Sequence, residues 1–147
     1  MEYLRSLNNE QRTAAECIHG PLLLLAGAGT GKTRVITYRM MHMLHQGLLG
    51  EKIVAVTFTN KAAREMKERL SELCGPRAKE IFVGTFHSFC IAILRKYWQE
   101  AGLTARFQLV GASDQVDLVG QALEEKNLHG IYRASDWHSR ISHCKNN

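Results

Sequence analysis

Eight consecutive residues, Ala26-Gly27-Ala28-Gly29-Thr30-Gly31-Lys32-Thr33, have the types and order that hold a phosphate chain. Glycines let a backbone turn tightly and aim several N–H groups at one point. A helix that starts where the turn ends adds the positive end of its dipole. Lys32 is placed to reach the β- and γ-phosphates of a nucleoside triphosphate, and the Thr33 hydroxyl to ligate Mg²⁺. The strict pattern has glycine six residues before the lysine, where this chain has Ala26. Alanine gives up little of the freedom needed there, so the motif stands as a tolerated variant. The plain alternative is a flexible turn with an incidental Gly-Lys-Thr. The flanking sequence argues against it: the apolar run Leu22-Leu23-Leu24-Leu25 precedes the loop, and an amphipathic stretch opening Arg34-Val35-Ile36 follows it. Strand, turn and helix in that order are what a phosphate loop requires.

Other side chains with chemical potential are less organised. Cys17, Cys74, Cys90 and Cys144 are scattered with no C-x-x-C pair, which predicts free, reduced thiols rather than a disulfide framework. His42 and His45 lie one helical turn apart, and His138, His143 and Cys144 cluster late in the chain. A second ligand pair at metal-binding spacing is missing, so these read as polar surface positions.

The elements that must position the loop are legible from periodicity. Asn8 and Gln11 have the spacing of a capping box and predict a helix to about Ile18, ended by Gly20-Pro21. A first strand is predicted at Leu22–Ala26. After the loop, Ile36, Met40, Met43, Leu44 and Gly47 follow helical spacing. Ile53-Val54-Ala55-Val56-Thr57 predicts a buried strand, and Asn60 is the candidate cap of a helix whose Ala62, Met66, Leu70 and Leu73 share a face. Ile81–Gly84 predicts a third strand, and Phe86, Phe89, Cys90, Ile93, Leu94 and Tyr97 a helical apolar stripe. Phe107–Val110 is a fourth candidate strand. Ser113 and Ser135 are candidate caps of two further helices.

Alternating strands and helices with apolar strands predict an α/β fold, a parallel sheet with flanking helices. Ligands of such sheets bind beyond the carboxyl ends of the strands. The loop, Thr57-Phe58-Thr59-Asn60 and Gly84-Thr85-Phe86-His87 all fall on that rim. The alternation stops after Val110, which predicts a second, helical unit starting near Gly111. At 147 residues, 45% hydrophobic and 22% charged, the chain is of ordinary globular composition. A net charge of +5 favours polyanionic partners. The first residues lack the long apolar region of a signal peptide and no run is long enough to span a bilayer, so the expectation is a cytoplasmic protein without membrane partners.

Four blocks, in order, resemble the N-terminal part of superfamily 1 DNA helicases of the UvrD/Rep/PcrA type. Leu7-Asn8-Asn9-Glu10-Gln11 resembles the family's Q motif, and Ala26–Thr33 its motif I. Val56-Thr57-Phe58-Thr59-Asn60-Lys61-Ala62-Ala63-Arg64-Glu65-Met66 resembles motif Ia, and Gly84-Thr85-Phe86-His87-Ser88-Phe89 motif Ib. The run Phe107–Asn147 is similar to the start of the helical 1B insertion. The resemblance implies an incomplete P-loop, RecA-like sheet over residues 1–110, domain 1A, followed by the beginning of 1B over 111–147.

The resemblance also implies roles. ATP and Mg²⁺ would be held by Gln11, by Ala26, Gly27, Ala28, Gly29, Thr30 and Gly31, and by Lys32, Thr33 and Arg34, with Lys32 and Thr33 as the catalytic members. Single-stranded DNA would be held by Phe58, Thr59, Asn60, Thr85 and His87. The residues leave some of these open. Gln11 can pair bidentately with adenine or serve the capping box. Arg34 can approach the nucleotide or lie on the surface. Phe58 can stack on a base or pack under the next helix; Phe86 and Phe89 read as core first. Asn60 can cap its helix or touch phosphate, and His87 can lie idle on the surface.

Hydrolysis needs acidic residues for Mg²⁺ and for the attacking water. The family's Asp-Glu pair is absent: Asp114 follows Val110 across a Gly-Ala-Ser turn, and Glu124-Glu125 falls in a predicted helix. The expectation is part of a longer 3′-to-5′ helicase acting in DNA repair or replication on single strands and duplex junctions. Residues 1–147 alone would bind nucleotide without turnover. The rest of 1B, motif II onward and a second motor domain would be required. The alternatives are the motor segment of a recombination nuclease-helicase, or another P-loop protein such as a small kinase.

Overall fold

The computed structural model describes residues 2–27 and 29–146; Ala28 of the loop motif lies outside the described residues. The chain divides into two compact units, one ending at Trp98 and the other starting at Gln99. Among the described residues there are six α-helices and a two-stranded parallel sheet, an α/β arrangement.

The first unit opens with a short 3-10 turn, Glu2–Leu4, and helix α1, Asn9–Glu16. The capping box forms as predicted: Gln11 N donates to Asn8 Oδ1 at 2.8 Å and Asn8 N to Gln11 Oε1 at 3.2 Å. Helix α2, Lys32–His45, begins directly at the end of the loop. Strand β1, Val54–Thr57, is joined by the crossover helix α3, Asn60–Cys74, to strand β2, Phe82–Thr85. Helix α4, Phe86–Lys96, follows without a gap. The strands pair from Val54↔Phe82 to Thr57↔Thr85, so both carboxyl ends lie at the same edge.

One core joins α2, α3 and the two strands. Met40 and Leu44 of α2, Ala63, Met66 and Leu70 of α3, Ala55 and Val83 of the strands, and Ile53 and Ile81 before them pack together. Ala55 and Val83 are register partners, which puts them on the same face of the sheet. A smaller cluster of Leu4, Leu7, Ala15 and Met41 ties the N-terminal turn and α1 to α2.

Several expectations are corrected. Residues 22–26 form no strand and α1 ends at Glu16. A strand exists only as part of a ladder, and the sheet contains β1 and β2 alone. Leu23 and Leu25 are accordingly 80% and 84% exposed. Residues 107–110 also carry no strand. Thr59, not Asn60, caps α3, its Oγ1 accepting from Ala62 N at 3.1 Å. Phe86 is half exposed rather than core, and no residue of α4 is fully buried. Phe89 instead packs its ring against Phe82, with centroids 5.5 Å apart.

In the second unit, α5 (Ala112–Glu125) and α6 (Ala134–Asn146) pack on each other, with Leu123 buried. Ser113 and Ser135 lie inside these helices rather than capping them. Gly111 precedes α5, and its N–H donates to Asp114 Oδ2 at 3.1 Å. No helix among the described residues is long and apolar enough to cross a membrane.

Candidate functional site

Two glycines of the loop take left-handed backbone. Gly29 has φ +77° and Gly31 φ +90°, values that only glycine adopts at little cost. Thr30 Oγ1 donates to Gly27 O at 2.8 Å. The Lys32 ammonium folds back over the loop and donates to Ala26 O at 2.9 Å and to Gly27 O at 2.6 Å. Gln11 reaches in from α1, and its Nε2 donates to Thr30 O at 3.0 Å. Thr33 sits half-buried in the first turn of α2.

The start of α2 differs from those of α1, α3 and α4. Those three are capped by the side chains of Asn8, Thr59 and Thr85. Gly31 has no side chain to cap with, so the first-turn N–H groups of α2 meet no side-chain acceptor. Free amides at a helix mouth, a positive dipole end and an adjacent ammonium make an anion seat. Arg34 is turned away from it: its Nη2 donates to Ser6 O at 2.9 Å, and its guanidinium lies 5.6 Å from the centre of the Tyr38 ring.

The rim where the strands end forms a second feature. Phe58 is 93% exposed, which removes a core role for it. Its ring leans on Phe86, the centroids being 5.7 Å apart. Thr57 Oγ1 donates to Thr59 O at 3.0 Å and fixes the turn that presents Phe58. Asn60 and His87 are exposed at the starts of α3 and α4. Thr85 is occupied as the cap of α4, accepting from Ser88 N at 3.2 Å. The sharp entry into α4 needs Gly84: a Cβ there would collide with Ser88 Oγ and the Phe82 ring.

A groove of about 400 Å³ beside this rim is lined by Asn60, Thr85 and Ser88 together with Arg64 and Lys67 of α3. The two cations were not singled out as site residues. Their helical spacing in α3, Arg64 one turn and Lys67 two turns after Asn60, is the available signal. Fourteen of the nineteen lysines and arginines but only eight of the fourteen acids precede residue 99, so the first unit carries +6.

His42 is no surface residue. It is 3% exposed, and its Nδ1 lies 2.9 Å from the Tyr3 hydroxyl. The Tyr3 ring stacks on His45 with centroids 4.2 Å apart. Burial, helped by the negative charge of Glu16, pushes the Tyr3 hydroxyl above its ordinary value of 10.0. Among the described residues no three His, Cys, Asp or Glu side chains group to hold a metal ion. All four cysteines are free, Cys17 and Cys74 half-buried and Cys90 and Cys144 exposed.

A family model described as the UvrD/REP helicase N-terminal domain matches residues 7–147. The ATP-dependent DNA helicase PcrA of Bacillus subtilis (strain 168) is 44% identical over 128 residues, covering 86% of this chain and 17% of that protein. PcrA of Staphylococcus aureus (strain Mu50) is 42% identical and PcrA of Staphylococcus epidermidis 40%, each over 126 residues. These alignments cover 85% of this chain; the chain spans 17% of the length of the relatives it matches.

Proposed function

The chain belongs to the UvrD/REP helicase family, and on that premise we propose that it forms the nucleotide- and single-strand-binding part of an ATP-dependent DNA helicase. Residues 1–110 are assigned to a RecA-like motor domain and 111–147 to the start of a helical insertion. One observation carries the reading: a helix mouth without a side-chain cap, Gly31 at φ +90° and the Lys32 ammonium beside it, all in the unit whose strand ends present Phe58.

The residues present fit a triphosphate. Gly27, Gly29 and Gly31 put no Cβ atoms into the loop at their positions, and the first-turn amides of α2 supply donors. Lys32 would exchange the carbonyls of Ala26 and Gly27 for β- and γ-phosphate oxygens, and Thr33 would hold Mg²⁺ through its hydroxyl. ATP supplies the anhydride whose cleavage drives the motor. Gln11 orients near the loop. Phe58 offers an open face to a base, and Asn60, Arg64, Lys67 and His87 offer donors to the strand's phosphates.

Whole-protein activity extends this proposal: 3′-to-5′ unwinding in repair or replication at single-strand–duplex junctions, in the cytoplasm. It needs an acidic pair and a second motor domain supplied by a longer protein. Titration with a fluorescent ATP analogue, with and without Mg²⁺, tests the nucleotide claim. Saturable, Mg²⁺-dependent binding is expected, weakened about 10- to 100-fold in Lys32→Ala, the scale of a charge-assisted hydrogen bond. Absence of binding at high micromolar concentration, or equal binding by the variant, contradicts it.

A further inference from the structure

The capping box of α1 and the phosphate loop share one side-chain amide, that of Gln11. Its Oε1 accepts from Asn8 N at 3.2 Å and its Nε2 donates to Thr30 O at 3.0 Å. The partners fix the amide's orientation. Flipped, its NH₂ would face the Asn8 N–H and its oxygen the Thr30 carbonyl, two repulsive contacts in place of two bonds. The amide also lies against Gly31, where a Cβ would stand 3.0 Å from Gln11 Nε2. Thr30 and Gly31 are the last residues before α2, so whatever holds the Thr30 carbonyl also holds the peptide that aims the anion seat.

Resting on the phosphate-loop reading above, we infer that Gln11 is a positioning residue for the phosphate loop. It braces Thr30 against α1, and affinity for a bare phosphate chain therefore depends on it. This is distinct from reading adenine. A side-chain amide has two donors and two acceptor sites. One of each is spent inward here, and one of each remains for a base. Both functions fit on one side chain, and a base bound there reinforces the orientation that steadies the loop. Base and phosphate recognition are thereby coupled through one group.

The test uses a ligand without a base. Binding of Mg²⁺–tripolyphosphate and of Mg²⁺–ATP is measured calorimetrically for the chain and for Gln11→Met, Gln11→Ala and Asn8→Ala. Gln11→Met keeps the length of the side chain without its hydrogen bonds. Asn8→Ala removes the cap to Gln11 N yet keeps the backbone N–H that Gln11 Oε1 accepts, so it reports helix fraying alone. Both Gln11 variants are expected to bind tripolyphosphate about 3- to 10-fold more weakly, the scale of one lost hydrogen bond. Asn8→Ala is expected to stay near the starting affinity, and circular dichroism checks that each variant retains its helices. Unchanged tripolyphosphate binding with weakened ATP binding would make Gln11 a base reader only and overturn the inference. An equal loss in Asn8→Ala overturns it too, by assigning the effect to fraying. If the unaltered chain binds neither ligand, the phosphate-loop reading itself falls, an outcome distinct from the other two.

Discussion

Replacing Phe58 by alanine separates binding from folding in one substitution. The ring is 93% exposed and leans on the half-exposed Phe86, with centroids 5.7 Å apart. Removing it takes almost nothing from the core, so folding stability should move by less than about 0.5 kcal/mol. A base stacked on such a ring is worth about 1–3 kcal/mol, which converts to about a 5- to 150-fold loss in single-strand affinity. Leu70→Ala supplies the contrast: at 1% exposure in the central core it should cost about 2–5 kcal/mol of stability. The assay pairs fluorescence anisotropy of a labelled oligothymidylate at fixed salt with thermal unfolding of the same samples. Fixed salt matters because the groove cations Arg64 and Lys67 make the affinity ionic-strength dependent. A Phe58→Ala protein with undiminished oligothymidylate affinity would refute the stacking role. One that unfolds as readily as Leu70→Ala would refute the claim that this ring is free of the core.

Further outcomes follow from the caps and the shifted groups. Thr59→Ala should destabilise by about 1 kcal/mol in denaturant titration, whereas Asn60→Ala should cost a few tenths, because only Thr59 accepts the Ala62 N–H. Burial holds the Cys74 thiol above its ordinary 9.0, against a smaller opposing pull from Arg77, so iodoacetamide at pH 8 should label exposed Cys90 and Cys144 well before Cys74. Tyr3 and Cys74 are both raised in the folded state, so the stability they contribute is complete below pH 9.0 and is lost as pH climbs past 10.0. Unfolding midpoints measured from pH 7 to 11 check that direction.

Much of this molecule is legible in its sequence, and the exceptions share a cause. The Asn8–Gln11 box and the β1–α3–β2 crossover rest on local patterns, and local patterns survive folding. The run Leu22–Leu25 has the composition of a strand, but strand formation is a pairing event, and no ladder reaches it within the sheet. Phe86 follows a helical stripe, yet a stripe becomes core only where another layer covers it; Ile93 of the same helix and Tyr97 just after it are also more than 40% exposed. Thr59 and Asn60 are both good caps, and spacing alone does not separate neighbours. His42 was readable in principle: it lies seven residues after buried Val35, on the same face of α2. The loop motif is carried by residue types and order alone. The bond from Gln11 to Thr30 joins residues nineteen positions apart and became visible only in the folded chain.

The proposed function requires one unit to present both an anion seat and a single-strand grip. Amide chemical-shift mapping of this 16.6 kDa chain tests that directly, once with a Mg²⁺–ATP analogue and once with oligothymidylate. Shifts centred on Gln11 and Gly29–Val35 with the first ligand, and on Phe58–Asn60, Arg64 and Thr85–Ser88 with the second, are the predicted result. Saturable binding of the nucleotide analogue that leaves the amides of Gly31, Lys32 and Thr33 unmoved would contradict it.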